Sequence, residues 1–411
     1  MDWQVGRVLI GVSVVLAGYL SAVPVLAEMS SEWNRCAGKD GATLDQQIDG
    51  CTIVVQSGGD PPEKLAQAYM GRGFAYMTKG DYDRAIQDYD EVVSLDPKNA
   101  LAFNNRGFAH SRKGDFDRAI ADYEQAIRLS PDAALPFFNR GEAYANKRDF
   151  DRAIQDYDQA IGLNPNFAQA LLNRGFVYAA KGDYDLAIQD YDRAIRLSPD
   201  LPVAFYNRGV AHGLKGDFDH AIQDYTQAIS VNPNYAWAYY RRGEVYANKR
   251  DFDRAIRDYD QTIRLDPYHA AAFNDRGFVY ASKGDFDRAF RDYDQAMRID
   301  PSYAAVFYNR GSGYTELRDF DRAIQDYDQA IRLDPNFAKA FVNRGFVHAT
   351  KGDYDRAIQD FDKAIGLNPN FAQAYLNRGI AKLKKGDPIG GNADIAKANR
   401  LDPRIGDHGI R

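Results

Sequence analysis

A glycine recurs every 34 residues along this chain, at positions 73, 107, 141, 175, 209, 243, 277, 311, 345 and 379, without one insertion. A proline follows each of them at a fixed offset of 24 residues, from Pro97 to Pro403. Self-similarity on this scale removes the need for a single large central core, because each unit of such a chain packs only on its neighbours. The ten repeats run 66–99, 100–133, 134–167, 168–201, 202–235, 236–269, 270–303, 304–337, 338–371 and 372–405, and positions within a repeat are counted below from 1 to 34.

Two stretches of each repeat, positions 2–14 and 17–30, have no proline in their interiors and carry apolar residues at helical spacing, so each is expected to be a helix. In the first, positions 4, 8 and 11 hold residues such as Phe103, Gly107 and His110; in the second, positions 20, 21, 24, 27 and 28 hold residues such as Ala119, Ile120, Tyr123, Ala126 and Ile127. Small residues opposite large ones let antiparallel helices approach closely, which makes the position-8 glycine a packing residue. Between the helices, a glycine at position 15 (Gly80, Gly114, Gly182) suits the left-handed end of a helix. The Asp that follows it in all ten repeats, Asp81 to Asp387, suits the cap of the next one. Arg148, Arg250 and Arg318 stand where that turn glycine belongs, which predicts a strained or differently closed turn.

This pattern resembles the tetratricopeptide repeat, whose period and Gly, Ala and Pro landmarks it shares over 340 of 411 residues. The resemblance implies an all-α fold, an α-solenoid of antiparallel helix pairs wound into a right-handed superhelix, with the first helix of each pair lining a concave groove. One departure stands out. Where the family usually has Leu, position 7 is Arg in every repeat, from Arg72 through Arg106, Arg140 and Arg174 to Arg378. A buried charge needs a partner. Apart from the capping Asp, only position 23 is acidic ten times out of ten, as in Asp122, Asp156 and Asp190. A ladder of Arg–Asp pairs is therefore expected, within a repeat or to its neighbour; the alternative is an arginine stripe for anionic ligands.

The resemblance places positions 2, 5, 6, 9, 12 and 13 on the groove. Position 6 is Asn in seven repeats: Asn105, Asn139, Asn173, Asn207, Asn309, Asn343 and Asn377. An amide offers both donor and acceptor to the backbone of an extended peptide; inheritance of the Asn-Arg-Gly triplet by copying would leave the same trace. Positions 5 and 9 vary and are mostly apolar, with Phe138, Tyr206, Tyr240 and Tyr308 at the former and Phe108 and Phe176 at the latter. They form either a wall for a polypeptide or a packing layer against the next helix. Lys339 and Lys384 alone occupy places where relatives grip a carboxylate, so that mode of binding is not expected.

No catalytic or cofactor chemistry is legible. The Asp-x-Asp that begins the second helix in nine repeats is capping chemistry, and the six histidines show no ligand spacing, so no metal, cofactor or catalytic residue is expected. The 71 residues outside the repeats leave no room for a catalytic module. A net charge of -6 without a basic cluster argues against nucleic acid.

The first 27 residues read as an export signal: Arg7, an apolar run and the end Val25-Leu26-Ala27. That implies a periplasmic or secreted protein with no membrane insertion after cleavage; the alternative is an inner-membrane anchor formed by an uncleaved 8–26 helix. Residues 28–65 are expected to cap the array, with Cys36 and Cys51 as a disulfide. At the other end, Pro388, Gly390 and Gly391 predict a short, polar last helix, and residues 406–411 a frayed tail. The functional expectation is a non-enzymatic scaffold that binds extended polypeptide, its partner a protein or peptide. The competing one is a structural or assembly subunit of an envelope complex that uses the outer face or self-association.

Overall fold

The computed structural model describes residues 31–39, 41–57 and 59–405; the expected export signal and tail lie outside the described residues. Among the described residues there are 22 helices and no strand, and the fold is all-α. The chain divides into two compact bodies, Met1–Pro165 and Asn166–Arg411.

The first body begins with a cap of two helices, Ser31–Cys36 and Leu44–Gln56. Thr43 and Gln46 close the start of the second by bonding each other's backbone N–H groups. A disulfide joins Cys36 to Cys51. The cap explains why the Asn series opens with a glycine, because a Cβ on Gly71 would lie 3.3 Å from the Cys36 carbonyl and 3.4 Å from Cys51 Sγ. Three repeat pairs follow: Pro62–Thr78 with Tyr82–Leu95, Ala100–Arg112 with Phe116–Leu129, and Ala134–Asn146 with Phe150–Leu163.

The second body consists of seven pairs. They are Ala168–Lys181 with Tyr184–Leu197, Pro202–Leu214 with Phe218–Val231, Ala236–Asn248 with Phe252–Leu265, Ala270–Ser282 with Phe286–Ile299, Ala304–Glu316 with Phe320–Leu333, Ala338–Thr350 with Tyr354–Leu367, and Ala372–Lys385 with Pro388–Leu401. The last helix differs from its sequence-based expectation: it runs for 14 residues, as long as its counterparts. Proline suits the first turn of a helix, where no N–H is needed. Gly391 lies so close to the preceding helix that a Cβ would meet Leu383 Cγ at 2.7 Å and the Gly379 carbonyl at 2.9 Å. These glycines are packing residues, and the tight approach sustains the helix.

Inside most repeats the same devices recur. The position-8 glycine faces the position-24 ring: a Cβ on Gly209 would sit 2.8 Å from Tyr225 Cε1. The capping Asp accepts the backbone N–H three residues on, as Asp251 does from Arg254 at 3.2 Å. In the turn, Gly114 has φ 82° and its N–H bonds the Ser111 carbonyl at 2.9 Å. The arginine turns are not closed differently. Arg250 has φ 60° and bonds Ala247 at 2.9 Å. Their strain lies in the backbone alone, since a side chain in the left-handed region costs roughly 1–2 kcal/mol.

Candidate interaction surface

Position 7 closes each repeat on itself. Arg106 Nη2 and Nε donate to the two oxygens of Asp122 at 2.6 and 2.9 Å, Arg140 to Asp156 at 2.7 and 2.8 Å, and Arg174 to Asp190 at 2.6 and 2.8 Å. All ten arginines make this forked contact to the Asp 16 residues on, inside one repeat. Burial pushes the carboxyls of Asp88, Asp156, Asp258 and Asp292 up, against the pull of their arginine hydrogen bonds. The ladder is thus a positioning device whose desolvation offsets much of its attraction. These arginines do not stand free in a groove: each is held by its aspartate.

Two links run between repeats. The third donor of Arg106 reaches Asp90 of the preceding repeat at 2.7 Å, and Arg208, Arg276, Arg310, Arg344 and Arg378 repeat the contact with Asp192, Asp260, Asp294, Asp328 and Asp362. On the surface, Lys249 pairs with Asp219 at 2.7 Å and Lys283 with Asp253 at 2.5 Å. The Asp-x-Asp start of the second helix therefore serves two purposes, a cap and an inter-repeat pair. Exposed pairs of this kind contribute about 0–1 kcal/mol each.

One residue before the ladder, at position 6, the side chains turn toward position 5 of the preceding repeat. In the first body Asn139 Nδ2 donates to Asn104 Oδ1 at 2.9 Å, and Asn105 Nδ2 points to Met70 Sδ at 3.8 Å. In the second, Asn309 donates to Asn274 at 2.9 Å and Asn343 to the Tyr308 hydroxyl at 3.3 Å. Asn173 and Asn377 accept instead from a glutamine one turn earlier, Gln169 and Gln373. Asn105 and Asn139 are buried, whereas Asn207 is half-buried and makes no side-chain hydrogen bond among the described residues.

Position 5 is a packing layer. Phe138 is 1% exposed, and Tyr206 and Tyr240 are also buried, because each ring tilts onto the position-24 tyrosine of its own repeat at 5.9–6.0 Å. Tyr206 and Tyr240 are further covered by Tyr235 and His269, at 5.2 and 4.6 Å. Phe138, Tyr206, Tyr240, Asn105 and Asn139 accordingly do not present themselves as an open peptide-contacting wall. Tyr308, half-buried, has the same neighbours in Tyr327 and Phe337.

What the second body leaves open is the next row on the same helix face, three and four residues further along. At position 9 Phe176 is 39% exposed and Phe278 52%, while Val210 between them and Phe108 in the first body are half-buried; Leu214, 42% exposed, lies one turn further on at position 13. Beneath this row, repeats six and seven break the Asn series with Arg241 and Asp275. Arg241 Nη1 donates to Glu244 at 2.9 Å, and Asp275 accepts from the Tyr240 hydroxyl at 2.7 Å and from Asn274 Nδ2 at 2.9 Å. Burial, with Glu244 adding to it, raises the Asp275 carboxyl to about 6. Arg241 Nε, Tyr235 Oη and His269 Nε2 are buried without a partner among the described residues. Buried polar atoms are almost always bonded, to protein or to ordered water, so three such atoms within repeats five and six set this stretch apart from the rest of the array.

Sequence profiles of tetratricopeptide repeats match residues 104–165, 138–202, 308–371 and 347–388, with further ones at 73–114, 202–235, 224–257 and 243–307. Together they cover the chain from 73 to 388 without a gap. The chain belongs to the tetratricopeptide repeat family. No curated protein matches it. Among solved structures, it is similar to YrrB, described as a tetratricopeptide repeat protein with an unusual peptide-binding site, at 27% identity over 45% of this chain and 95% of that one, with a TM-score of 0.39. It is also similar to MamA, at 29% identity over 40% of this chain and 96% of that one, TM-score 0.38. A tetratricopeptide repeat protein from Parabacteroides merdae matches at 20% identity over 61% of this chain and 99% of that one, TM-score 0.48. A repeat array of this family is a scaffold for protein–protein interaction.

Proposed function

We propose that this scaffold is non-enzymatic and binds an extended polypeptide along the first-helix face of repeats four to seven. The supporting observation is the contrast on that face between a closed packing layer and the exposed apolar side chains Phe176 and Phe278 at position 9 and Leu214 at position 13, with the unpartnered Arg241 Nε in the layer below. An exposed apolar row takes apolar side chains of a partner, and a buried guanidinium edge and a free amide at Asn207 take its backbone or carboxylate oxygens. The Cys36–Cys51 disulfide supports a working place in an oxidising compartment, in line with an exported protein. Among the described residues no helix is long and apolar enough to cross a membrane.

A peptide array of unstructured sequences probed with the full chain tests this reading. Phe176→Ser with Phe278→Ser should weaken capture by at least about tenfold, the worth of removing one or two buried aromatic anchors, without shifting thermal unfolding. Capture that survives this change, but is lost when the second-helix surface is altered at Arg257 and Arg291, would favour the assembly-subunit reading.

A further inference from the structure

Tyr76, Tyr144, Tyr246, Tyr280 and Tyr314 occupy position 11 in five repeats. The position-19 arginine of the same repeat stacks over each ring at 4.4–4.5 Å and pairs with the capping Asp. Tyrosine, arginine and aspartate thus clamp the turn between the two helices. In repeat five both outer members of the clamp are replaced at once, by His212 and His220, while Asp217 stays. Repeats two and nine carry one histidine there, His110 or His348, but keep Arg118 or Arg356.

The double replacement brings three ligand atoms together. The imidazoles stack at 5.1 Å between centroids, His220 Nδ1 lies 2.7 Å from Asp217 Oδ2, and His212 Nδ1 lies 3.6 Å from the same oxygen. Among the described residues this is the one group of three His, Cys, Asp or Glu side chains whose ligand atoms all fall within 4.8 Å. A tetrahedral ion held at about 2.0–2.2 Å needs donors roughly 3.3 Å apart. The 3.6 Å pair is close to that spacing, and the 2.7 Å hydrogen bond opens to it when the ion displaces its proton. Behind the group, His212 Nε2 lies 4.0 Å from Asp224 Oδ2, itself gripped by Arg208. At that distance Asp224 is a nearby charge rather than a hydrogen-bond partner, and a small rotation of the ring would bring it to the place from which a carboxylate orients a metal-binding imidazole.

We propose that His212, Asp217 and His220 form a binding site for a late first-row transition ion, zinc above all, with water in the remaining position. Two imidazole nitrogens and one carboxylate oxygen select such ions over calcium or magnesium, which require oxygen donors. The site joins the first helix of repeat five to the start of its second, so a bound ion takes over the role that the tyrosine–arginine stack has elsewhere.

Calorimetric titration of zinc into the chelator-washed full chain, made without a polyhistidine tag, tests the site. A single ion per chain is expected, with no heat from magnesium or calcium at the same concentration. Restoring the clamp with His212→Tyr and His220→Arg should weaken zinc binding by at least about a hundredfold and leave the helical circular dichroism unchanged. Asp217→Asn keeps a capping side chain, and should weaken it as well. Cobalt in place of zinc should give the visible absorption of a four- or five-coordinate ion with nitrogen ligands, absent from the double variant. Absence of zinc binding in the wild type, zinc binding retained in both variants, or calcium binding that competes with it would each overturn the proposal.

Discussion

Positions 6 and 7 of each repeat are neighbours in the chain and opposites in construction. At position 7 the same arginine meets the same aspartate ten times, with forked geometry that barely changes from repeat to repeat. At position 6 the residue runs from Gly71 through the asparagines to Arg241 and Asp275, and its hydrogen bonds go to a different partner nearly every time. Position 7 makes its forked contact inside its own repeat and directs only its remaining Nη1 to the preceding one, so a change next door leaves the fork in place. Position 6 reaches position 5 of the preceding repeat in Asn105, Asn139, Asp275, Asn309 and Asn343, so there a substitution in one repeat is felt in the next. The uniform row holds the helix pair together; the variable row is where this array acquires chemistry of its own.

Breaking the uniform row should have the largest effect. Asp258→Ala strands the Arg242 guanidinium in a half-buried place and should destabilise the second body by about 3 kcal/mol, as the loss of one partner of a buried pair does. Removing both partners, with Arg242→Leu and Asp258→Leu, should cost much less. Urea unfolding of the three chains distinguishes the cases, and equal losses would show that the ladder contributes attraction rather than position.

In the variable row the expected effect is smaller and depends on pH. The folded carboxyl of Asp275 is raised to about 6 from an ordinary 3.8, so the fold favours its protonated form. Stability from this group is fully present below pH 3.8 and is lost as pH rises through about 6. Asp275→Asn removes that loss, keeps an acceptor for Tyr240, and should stabilise the second body by on the order of 2 kcal/mol at pH 8. At pH 4 the two chains should unfold alike. A stability difference that does not vary with pH would mean that Asp275 titrates in the fold as it does in the unfolded chain.

The smallest effect tests the backbone rather than either row. Arg250→Gly removes a side chain from a left-handed turn and should stabilise by about 0.5–1 kcal/mol, the strain relieved less the extra freedom of glycine in the unfolded chain. Thermal unfolding beside a Gly216→Ala control, which should shift the other way, is sufficient to read it.

Much of the fold is legible from sequence because local rules carry it: the glycine and aspartate of the turn, the helical spacing and the 34-residue period each act within a few residues. The partner of the arginine can be narrowed to position 23 by recurrence, but its lying in the same repeat depends on how far the two helices are offset. The Asp90 series escapes notice because other residues, such as Thr226, stand in for it. The length of the last helix is misjudged for a related reason, since Gly391 is a poor helix former whose value lies in a contact with Leu383, and Gly390 leaves room for the Asp387 carboxylate that caps the helix. The interaction surface is legible in outline only. Sequence spacing places positions 5, 6 and 9 on one face, but how deeply Phe138, Tyr206 and Tyr240 sink depends on the rings at positions 24 and 34 that close over them. The histidine pair is hidden most completely, because eight residues and a turn separate His212 from His220.

The closure of every arginine on its own repeat has a bearing on ancestry. Excising or duplicating one 34-residue copy carries each arginine away together with its aspartate, so no charge is stranded at the new junction. A gene for such a chain can lengthen or shorten by whole copies with the scaffold still intact, and selection is then free to act on the side chains of the copies that remain.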